Sequence, residues 1–346
     1  MGISSLLPEK KKTATQEDLE ILAERASELH RESTVIDGHA GTLFDIVHNL
    51  RDFGEESDTG HVDLPRLKRG GVHCVFLSAF ITDRLWPIRG VRAGLEYADA
   101  FNRLAETRGI RAVKSSGDIE EAKSAGEIAV LLSFEGGEFL EGSLEALRMF
   151  YRLGLRMLTL TWNDRNLLAD GAAVSKSRGG LTPLGLEVVR EAGRLGIIVD
   201  VSHISEAGFW DLAEMGELPI VASHSNCHRL LAHPRNLTDD QLKAVAATGG
   251  VVGISFNPEY LVVPGEEATM SKVADHICHA VEVAGEEYVA IGSDFDSFSE
   301  KGPQPLCDIS KMPLLTEELL RRGMPGKTIT GILGGNWLRV LRAVIG

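Results

Sequence analysis

The stretch Ile197–Asn236, IIVDVSHISEAGFWDLAEMGELPIVASHSNCHRLLAHPRN, contains one pattern twice. In each copy a short β-branched run, first Ile197–Val201 and then Pro219–Ala222, is followed directly by Ser-His. Short apolar runs of this kind are typical of buried parallel strands. The pattern therefore predicts that His203 and His224 lie at the C-terminal ends of two neighbouring strands.

The two histidines are expected to converge, because the segment between the strands is predicted to be a helix that connects parallel neighbours. This segment, Ser205–Met215, begins with a serine and is followed by a glycine, as helices often are. Neutral imidazole is a good zinc ligand when the scaffold holds it rigidly. A histidine at a strand end can also bond only the backbone, and for either residue alone that interpretation is simpler. Because the pattern occurs twice, we favour a metal site.

Six more apolar runs extend the same scheme over the chain. They are Thr34–Ile36, Val72–Ser78, Ile128–Ser133, Met157–Thr161, Gly250–Phe256 and Tyr288–Ile291. Helical periodicity is found at Leu95–Glu106, Ser143–Leu153, Pro183–Leu195 and Ser271–Ala284, with closing helices at Leu314–Arg322 and Thr328–Val344. Eight strands that alternate with helices predict an α/β fold, the (β/α)₈ TIM barrel, with active groups at the C-terminal ends of the strands.

Length and patterning predict one barrel domain. Residues 1–33 are expected to form an N-terminal extension with an outer amphipathic helix, and residues 34–346 a single (β/α)₈ domain with its closing helices. A chain of 346 residues with 43% hydrophobic content can bury one such core. The glycine-containing segment Arg165–Leu181 is predicted to be a long loop, and loops of that length are often functional.

Charge and cysteine content exclude several classes of partner. The net charge of −14 argues against nucleic acid and against an anionic membrane surface, since phosphate binding needs clustered Lys and Arg. The sequence contains no run of about 18 apolar residues, so we expect no membrane span, and no targeting segment is evident. The four cysteines have no C-x-x-C spacing, so we expect a reducing, cytoplasmic location.

Polar groups follow five of the predicted strands. Strands one, three, five, six and eight are followed by His39, Glu135, His203, His224 and Asp294. On a barrel these side chains face one mouth, and three imidazoles with a carboxylate make a divalent-metal site. A carboxylate can also bridge two ions. Glu135 alone could equally cap the helix that follows it. With the histidines present, we expect a metal site, and zinc is the first choice.

The aspartates after the last strand are candidates for the catalytic acid–base group. Zinc brings the pKa of a bound water to about 7. Asp294 would then orient that water and carry its proton to the leaving group. A turn aspartate is the structural alternative, and Asp296 is a competing assignment. Asp294 is favoured because it comes first after the strand.

The motifs taken together resemble the renal or membrane dipeptidases, peptidase family M19 of the amidohydrolase superfamily. The resemblance covers about residues 30–346 and rests on VIDGH at 35–39, VDLPR at 62–66, EGG at 135–137, VDVSH at 199–203, SHS at 223–225, PRN at 234–236 and GSDFD at 292–296. It implies the (β/α)₈ fold and hydrolysis of dipeptides, often with a D-residue tolerated at the C-terminal side.

The resemblance also implies roles for individual residues. Glu135 would bridge two zinc ions, His203 and His224 would bind one of them, and His39 the other. Arg235 would hold the carboxylate of the substrate through a bidentate pair. A solvated surface arginine is the alternative interpretation of Arg235 from the sequence alone.

Two positions depart from the family pattern. The family's first motif is usually Asp-Gly-His-x-Asp, and Gly41 stands where its second aspartate, a metal ligand, is expected. We therefore expect one tightly bound zinc and a weaker second one. Asp37 could stand in as a ligand or orient His39, because strand alternation would put both on one side. Trp162 stands where mammalian members have a substrate-contacting histidine, which indicates a change in pocket shape.

The sequence thus predicts a zinc-dependent, dipeptidase-like hydrolase that acts on a small-molecule dipeptide or N-acyl amino acid. One alternative is another amidohydrolase activity, cleavage of an N-acyl amino acid or a lactone with a single metal. Another is a catalytically impaired homologue that acts as a binding or biosynthetic accessory protein, for which Gly41 is the supporting feature. A homodimer is compatible with the sequence.

Overall fold

The computed structural model describes residues 16–81, 89–174, 176–298 and 301–346. The charged segment before the first helix, residues 1–15, lies outside the described residues. The strands are β1 Ile36–Ala40, β2 Cys74–Phe80, β3 Ile110–Ala112, β4 Ile128–Glu135, β5 Leu155–Thr159, β6 Ile198–Asp200, β7 Ile220–Ala222, β8 Val251–Ile254 and β9 Val289–Ile291.

Eight of these strands form the predicted barrel. They are all parallel and follow the order β1-β2-β4-β5-β6-β7-β8-β9. The ends of the order meet just after β9, where Ala40 pairs with Phe295 and the Gly41 N–H donates to the Phe295 carbonyl at 2.8 Å. The Asp294 N–H donates to the His39 carbonyl at 3.0 Å. The predicted (β/α)₈ fold is confirmed.

Helices alternate with the strands and cover the outside. They are α1 Gln16–Glu32, α2 Leu43–Val47, α3 Leu64–Arg69, α4 Gly90–Ala105, α5 Gly117–Ala125, α6 Leu144–Arg152, α7 Pro183–Leu195, α8 Glu206–Met215, α9 Asp239–Ala247, α10 Pro258–Leu261, α11 Met270–Ala284, α12 Met312–Arg321, α13 Gly326–Thr330 and α14 Asn336–Val344. Short 3₁₀ turns lie at Gly137–Leu140, Glu286–Tyr288 and Ile309–Lys311. The predicted outer helix, α1, packs against α12.

The strand β1 differs from its prediction in a way that matters for the site. It was expected to end at Ile36, but it continues to Ala40 with a β-bulge, in which three steps along β1, Asp37 to Ala40, match two along β2, Val75 to Leu77. A bulge reverses which side chains face inward beyond it. The assumed alternation between Asp37 and His39 is therefore wrong.

Other observed elements also differ from their predictions. The strand β3 was not predicted, and it pairs with the first residues of β4 outside the eight-strand order. The strand β5 begins two residues before the predicted Met157. The expected helix Thr328–Val344 is interrupted by a π-helical turn, Gly331–Gly335. There, a side chain on Gly334 would lie 2.0 Å from the Thr34 carbonyl oxygen, so the close approach of two backbones requires glycine.

Alternate residues of the strands form two apolar layers. Inside the barrel lie Phe76, Leu131, Met157 and Val221, with Trp337 from α14 packed among them. The residues between them on each strand pack outward against the helices. Continuing the inner face of β4 from Leu131 by two-residue steps leads to Glu135, which places that carboxylate above the packed interior.

No helix within the described part of the chain is both long and apolar enough to cross a membrane.

Candidate metal centre and active site

The five polar groups predicted from the strand ends come together at the C-terminal mouth of the barrel. The Nε2 atom of His203 lies 2.8 Å from Oε1 of Glu135 and 2.8 Å from Nε2 of His224. On the other side, Nε2 of His39 lies 3.6 Å from Oε2 of Glu135 and 3.9 Å from Oδ1 of Asp294. All five side chains are buried. Glu135 thus lies between His39 on one side and His203 and His224 on the other.

The side chains that could act as metal ligands form two overlapping sets, and each set could hold a metal ion. One set is Glu135, His203 and His224, and the other is His39, His224 and Asp294, with the ligand atoms of each set within 4.8 Å of one another. The first set consists of three residues that the sequence proposes as ligands. The second adds Asp294 to the side of His39, where the sequence had suggested only His39 and Glu135.

Neighbouring polar groups orient His203 and His224 so that their Nε2 atoms face the centre. The Oδ1 atom of Asn163 accepts from Nδ1 of His203 at 2.8 Å. Ser223 Oγ lies 2.8 Å from Nδ1 of His224 and donates to Oδ2 of Asp200 at 2.6 Å. A ring nitrogen that donates outward leaves the other nitrogen as an acceptor toward the centre. Each imidazole therefore presents an acceptor nitrogen to the centre.

Sequence reasoning had given no role to the residues that orient these histidines. Asp200 lies at the end of β6, fully buried, where Thr159 Oγ1 and the backbone N–H groups of Ser202 and Ser223 also donate to it. The sequence does contain a signal for Asp200, which is an aspartate in an otherwise apolar strand. A buried carboxylate needs several hydrogen-bond donors, so such a residue indicates a polar network. The sequence contains no comparable signal for Asn163, which comes from the loop after β5.

The surroundings set the charge of each group. Burial, reinforced by Arg235, lowers the pKa of His203 to about 4, and burial also holds the pKa of His224 well below its usual range. Burial would raise the pKa of Glu135, but the adjacent imidazoles outweigh it and hold that pKa well below its ordinary value. Two neutral imidazoles and an ionised carboxylate are the protonation states that metal ligands require.

His39 shows that a positive charge is favoured at the centre. Burial would lower its pKa, yet the carboxylates of Glu135 and Asp294 raise it overall. Its Nε2 atom is buried and has no hydrogen-bond partner. Imidazole nitrogens and carboxylate oxygens thus converge on one buried point, where Nε2 of His39 is left unpaired. A divalent cation fits this donor set, because it satisfies imidazole nitrogens and carboxylate oxygens together.

The two aspartates after β9 point to different places. Oδ2 of Asp294 accepts from Nδ2 of Asn257 at 3.0 Å, while Oδ1 faces His39. Asp296 instead bonds Thr42, the backbone N–H of His61 and the guanidinium of Arg51. Asp296 therefore joins the end of β1 to the end of β9 and lies in neither metal-ligand set.

The structure shows what occupies the space around Gly41. A Cβ atom at this position would lie 2.7 Å from Oγ of Ser297 and 3.0 Å from the carbonyl oxygen of Asp296. Asp37 does not replace the absent carboxylate, because it accepts from Ser293 N at 2.7 Å and from Ser293 Oγ at 2.5 Å. The stand-in ligand suggested by the sequence is not in either ligand set.

Two cavities open from the centre and share His203 and His233 in their walls. The larger, about 850 Å³, is lined by Glu135, Asp294 and Trp162, whose side chain is 36% exposed. The smaller, about 660 Å³, is lined by Arg235 and by part of the predicted long loop, including Arg178. Arg235 is buried, so the alternative of a solvated surface arginine is wrong.

The same chain matches a known family over nearly its whole length. The model of the membrane dipeptidases, peptidase family M19, matches residues 23–345. The chain belongs to this family. Membership confirms the resemblance predicted from the motifs and makes the protein a hydrolase of the dipeptidase type, and a metallopeptidase family implies a metal cofactor.

Relatives and solved structures agree with this membership. An uncharacterised dipeptidase of Schizosaccharomyces pombe is 35% identical over 94% of this chain and 84% of its own length. The dipeptidase verJ of Clonostachys rogersoniana is 35% identical over 92% of this chain and 86% of its own. A Rhodobacter sphaeroides metallopeptidase, solved with a phosphinate mimic of the dipeptide L-Ala-D-Ala, is 27% identical with a TM-score of 0.82, over 90% of this chain and 99% of that one.

Proposed function

We propose that this member of the family cleaves the peptide bond of free dipeptides, with zinc as its metal and with a D-residue accepted on the C-terminal side. The observation that carries the proposal is the convergence of His39, Glu135, His203 and His224 on one buried point, where Nε2 of His39 has no hydrogen-bond partner. The D-residue is supported by the D-alanine part of the ligand bound to the Rhodobacter relative.

Glu135, His203 and His224 would hold one zinc ion, and His39 would hold a second, weaker one shared with Glu135. Bound zinc would lower the pKa of water toward 7 and polarise the peptide carbonyl. The ligand residues need no rearrangement for this, since Asn163 and Ser223 already orient the imidazoles of His203 and His224.

Asp294 would act as the acid–base group. Its Oδ2 atom is held by Asn257, which leaves Oδ1 to take a proton from the attacking water and pass it to the nitrogen of the leaving residue. Burial raises the pKa of Asp294 above its ordinary value, and a carboxylate with a raised pKa holds a transferred proton better than a solvated one.

Arg235 and Trp162 would position the substrate. The guanidinium of Arg235 lies 5.1 Å over the ring of Tyr260 and donates through Nη2 to the His224 carbonyl at 3.1 Å. These contacts fix its planar fork, which suits a carboxylate. Trp162 would shape the larger cavity.

The proposal of a reducing, cytoplasmic location is supported by the cysteines, all four of which carry free thiols.

A substrate screen with zinc-loaded protein tests the proposal. The panel contains L,L- and L,D-dipeptides, N-acyl amino acids and lactones, and Asp294→Asn serves as the inactive control. We expect dipeptides to be cleaved and cleavage to fall at least about a hundredfold in the variant, the effect of a lost general acid–base group. Preferential cleavage of N-acyl amino acids or lactones would replace the dipeptide assignment, and no turnover of any compound would favour an accessory role.

A further inference from the structure

The two cavities differ in charge. The described residues that line the larger cavity include the carboxylates Glu259 and Glu266 beside the metal-site acids, and no lysine or arginine is among them. We call this cavity the acidic lobe. The smaller cavity is lined by Arg178, Arg235 and His228, with Glu206 as its one carboxylate among the described residues. We call it the cationic lobe.

This polarity orients a dipeptide across the metal centre. A free dipeptide carries an ammonium group at one end and a carboxylate at the other. Complementary potentials favour the ammonium end in the acidic lobe and the carboxylate end in the cationic lobe, and like charges penalise the reverse. The scissile bond then lies between the lobes, beside His203, which lines both.

The cationic lobe contains buried donors that the protein does not use. Ser225 is 1% exposed and Arg235 is 5% exposed. Both line the lobe, and neither the Ser225 hydroxyl nor Nε of Arg235 has a hydrogen-bond partner. A buried polar group left unpaired is destabilising, and nearly all such groups in native proteins are paired. These two groups can donate to the acceptor oxygens of a ligand, and Oδ1 of Asn236, a buried acceptor of the same lobe that is also unpaired, can take a hydrogen bond from it.

The donors of the lobe exceed what one carboxylate requires. A terminal carboxylate has two oxygens, and the fork of one guanidinium can satisfy both. Arg235 supplies that fork, and the lobe also presents the guanidinium of Arg178, the hydroxyl of Ser225 and the imidazole of His228. A second acidic group on the same residue would use these additional donors.

We propose that the cationic lobe is a subsite for an acidic side chain, so that the enzyme prefers dipeptides whose C-terminal residue is aspartate or glutamate. This inference rests on the proposed dipeptidase function. The loop predicted at Arg165–Leu181 contributes to the preference through Arg178, whose exposed side chain lies at the edge of the lobe.

The test compares Leu-Asp, Leu-Glu, Leu-Ala and Leu-Lys, each with an L- and a D-residue at the C-terminal position, in zinc-loaded enzyme. The variants are Ser225→Ala and Arg178→Gln. Arg190→Gln is the matched control, because Arg190 is exposed on α7 and lines neither lobe. We expect kcat/KM for the acidic dipeptides to exceed that for Leu-Ala at least tenfold. Both lobe variants should reduce this ratio several-fold, and the control should keep it.

Calorimetric binding of the free amino acids, aspartate and alanine of the preferred configuration, separates the subsite from catalysis. Tighter binding of aspartate, weakened in Ser225→Ala, supports the subsite even if no dipeptide is hydrolysed, in which case only the dipeptidase assignment fails. Hydrolysis of Leu-Ala and Leu-Lys as fast as Leu-Asp, or an acidic preference unchanged in both lobe variants, would overturn the subsite and leave the dipeptidase function intact.

Discussion

A single glycine bears on how many metal ions this enzyme holds. Gly41 brings no ligand atom, and Ser297 and the Asp296 carbonyl occupy the space beside it. We expect one zinc per chain to remain after dialysis and a second to bind only in excess metal, because water lacks the pre-organisation of a fixed carboxylate. Elemental analysis of the dialysed protein measures this, and two retained equivalents would mean that Asp294 completes the second site.

The matched gain-of-ligand variant needs two changes. Gly41→Asp alone would push its side chain against the Ser297 hydroxyl, 2.7 Å from the added Cβ. Gly41→Asp with Ser297→Gly removes that contact and should retain a second equivalent of zinc. Ser297→Gly alone is the control and should retain one.

Arg235→Lys keeps the charge but loses the planar fork. We expect kcat/KM for free dipeptides to fall at least about tenfold, since one lost charge-assisted hydrogen bond costs roughly 1.5–3 kcal/mol. C-terminally amidated dipeptides should be affected much less, because they carry no terminal carboxylate. Steady-state kinetics on the two series measures the difference. Equal losses on both would show that Arg235 acts through its bond to the His224 carbonyl instead.

At the scale of elements, the junction of β1 and β9 carries a buried ion pair next to the site. Asp296 accepts from Thr42 at 2.6 Å and pairs with Arg51, which also bonds Asp45 at 2.6 Å. We expect Asp296→Asn to cost about 3 kcal/mol in urea unfolding, since the buried guanidinium of Arg51 loses the more buried of its two carboxylate partners. The substitution should also weaken zinc binding, because the segments next to His39 and Asp294 would no longer be held together by the contacts of Asp296.

The control for this junction is Asp45→Asn, which removes the other acid that pairs with Arg51. Asp45 is 24% exposed against 1% for Asp296, so solvent screens its pair with Arg51 more and Asp45→Asn should cost less stability than Asp296→Asn. If both variants lost the same stability and kept the same zinc affinity, the junction would have no special role.

The order of the barrel strands could be predicted, because buried strands and intervening helices leave clear periodic signals. From the strand order the positions of the strand ends could also be predicted. The residues at or just after those ends are brought together by the structure: His39, Glu135, His203, His224 and Asp294. The strand β3, Ile110–Ala112, was missed because its three residues include a charged arginine and show no apolar run.

Local register and long-range partners could not be predicted from the sequence. The bulge in β1 turns His39 inward, whereas Asp37, which lies before the bulge, bonds Ser293; only the pairing with β2 reveals it. The bond between Asn163 and His203 joins residues 40 apart in the chain. Gly334 interrupts the closing helix because a distant carbonyl, that of Thr34, lies against it.

At the scale of the whole molecule, buried histidines far from the metal make stability depend on pH. Nδ1 of His276 accepts the Cys227 N–H at 3.0 Å, and burial lowers the pKa of His276 to about 4. Above pH 6.5 the histidine is neutral both folded and unfolded. Between pH 6.5 and 4 only the unfolded chain takes up the proton, so stability falls as pH falls, by on the order of 3 kcal/mol for this residue.

Urea unfolding at pH 7, 5 and 4 measures this loss. His276→Asn keeps an acceptor but cannot titrate, so its stability should fall less than that of the unchanged protein over the same interval. His48→Asn, a change at an exposed histidine, is the control and should follow the unchanged protein. Parallel curves for all three proteins would mean that His276 does not contribute to acid unfolding.

The closure of the barrel beside the metal centre also has a consequence for biosynthesis. His39 belongs to the first strand, and Asp294 follows the last one, with their backbones joined at 3.0 Å. A chain emerging from the ribosome therefore carries four of the five centre groups long before the fifth exists. Active enzyme arises only after translation has passed the last strand, so a prematurely terminated chain that ends before Asp294 releases no competent hydrolase into the cell.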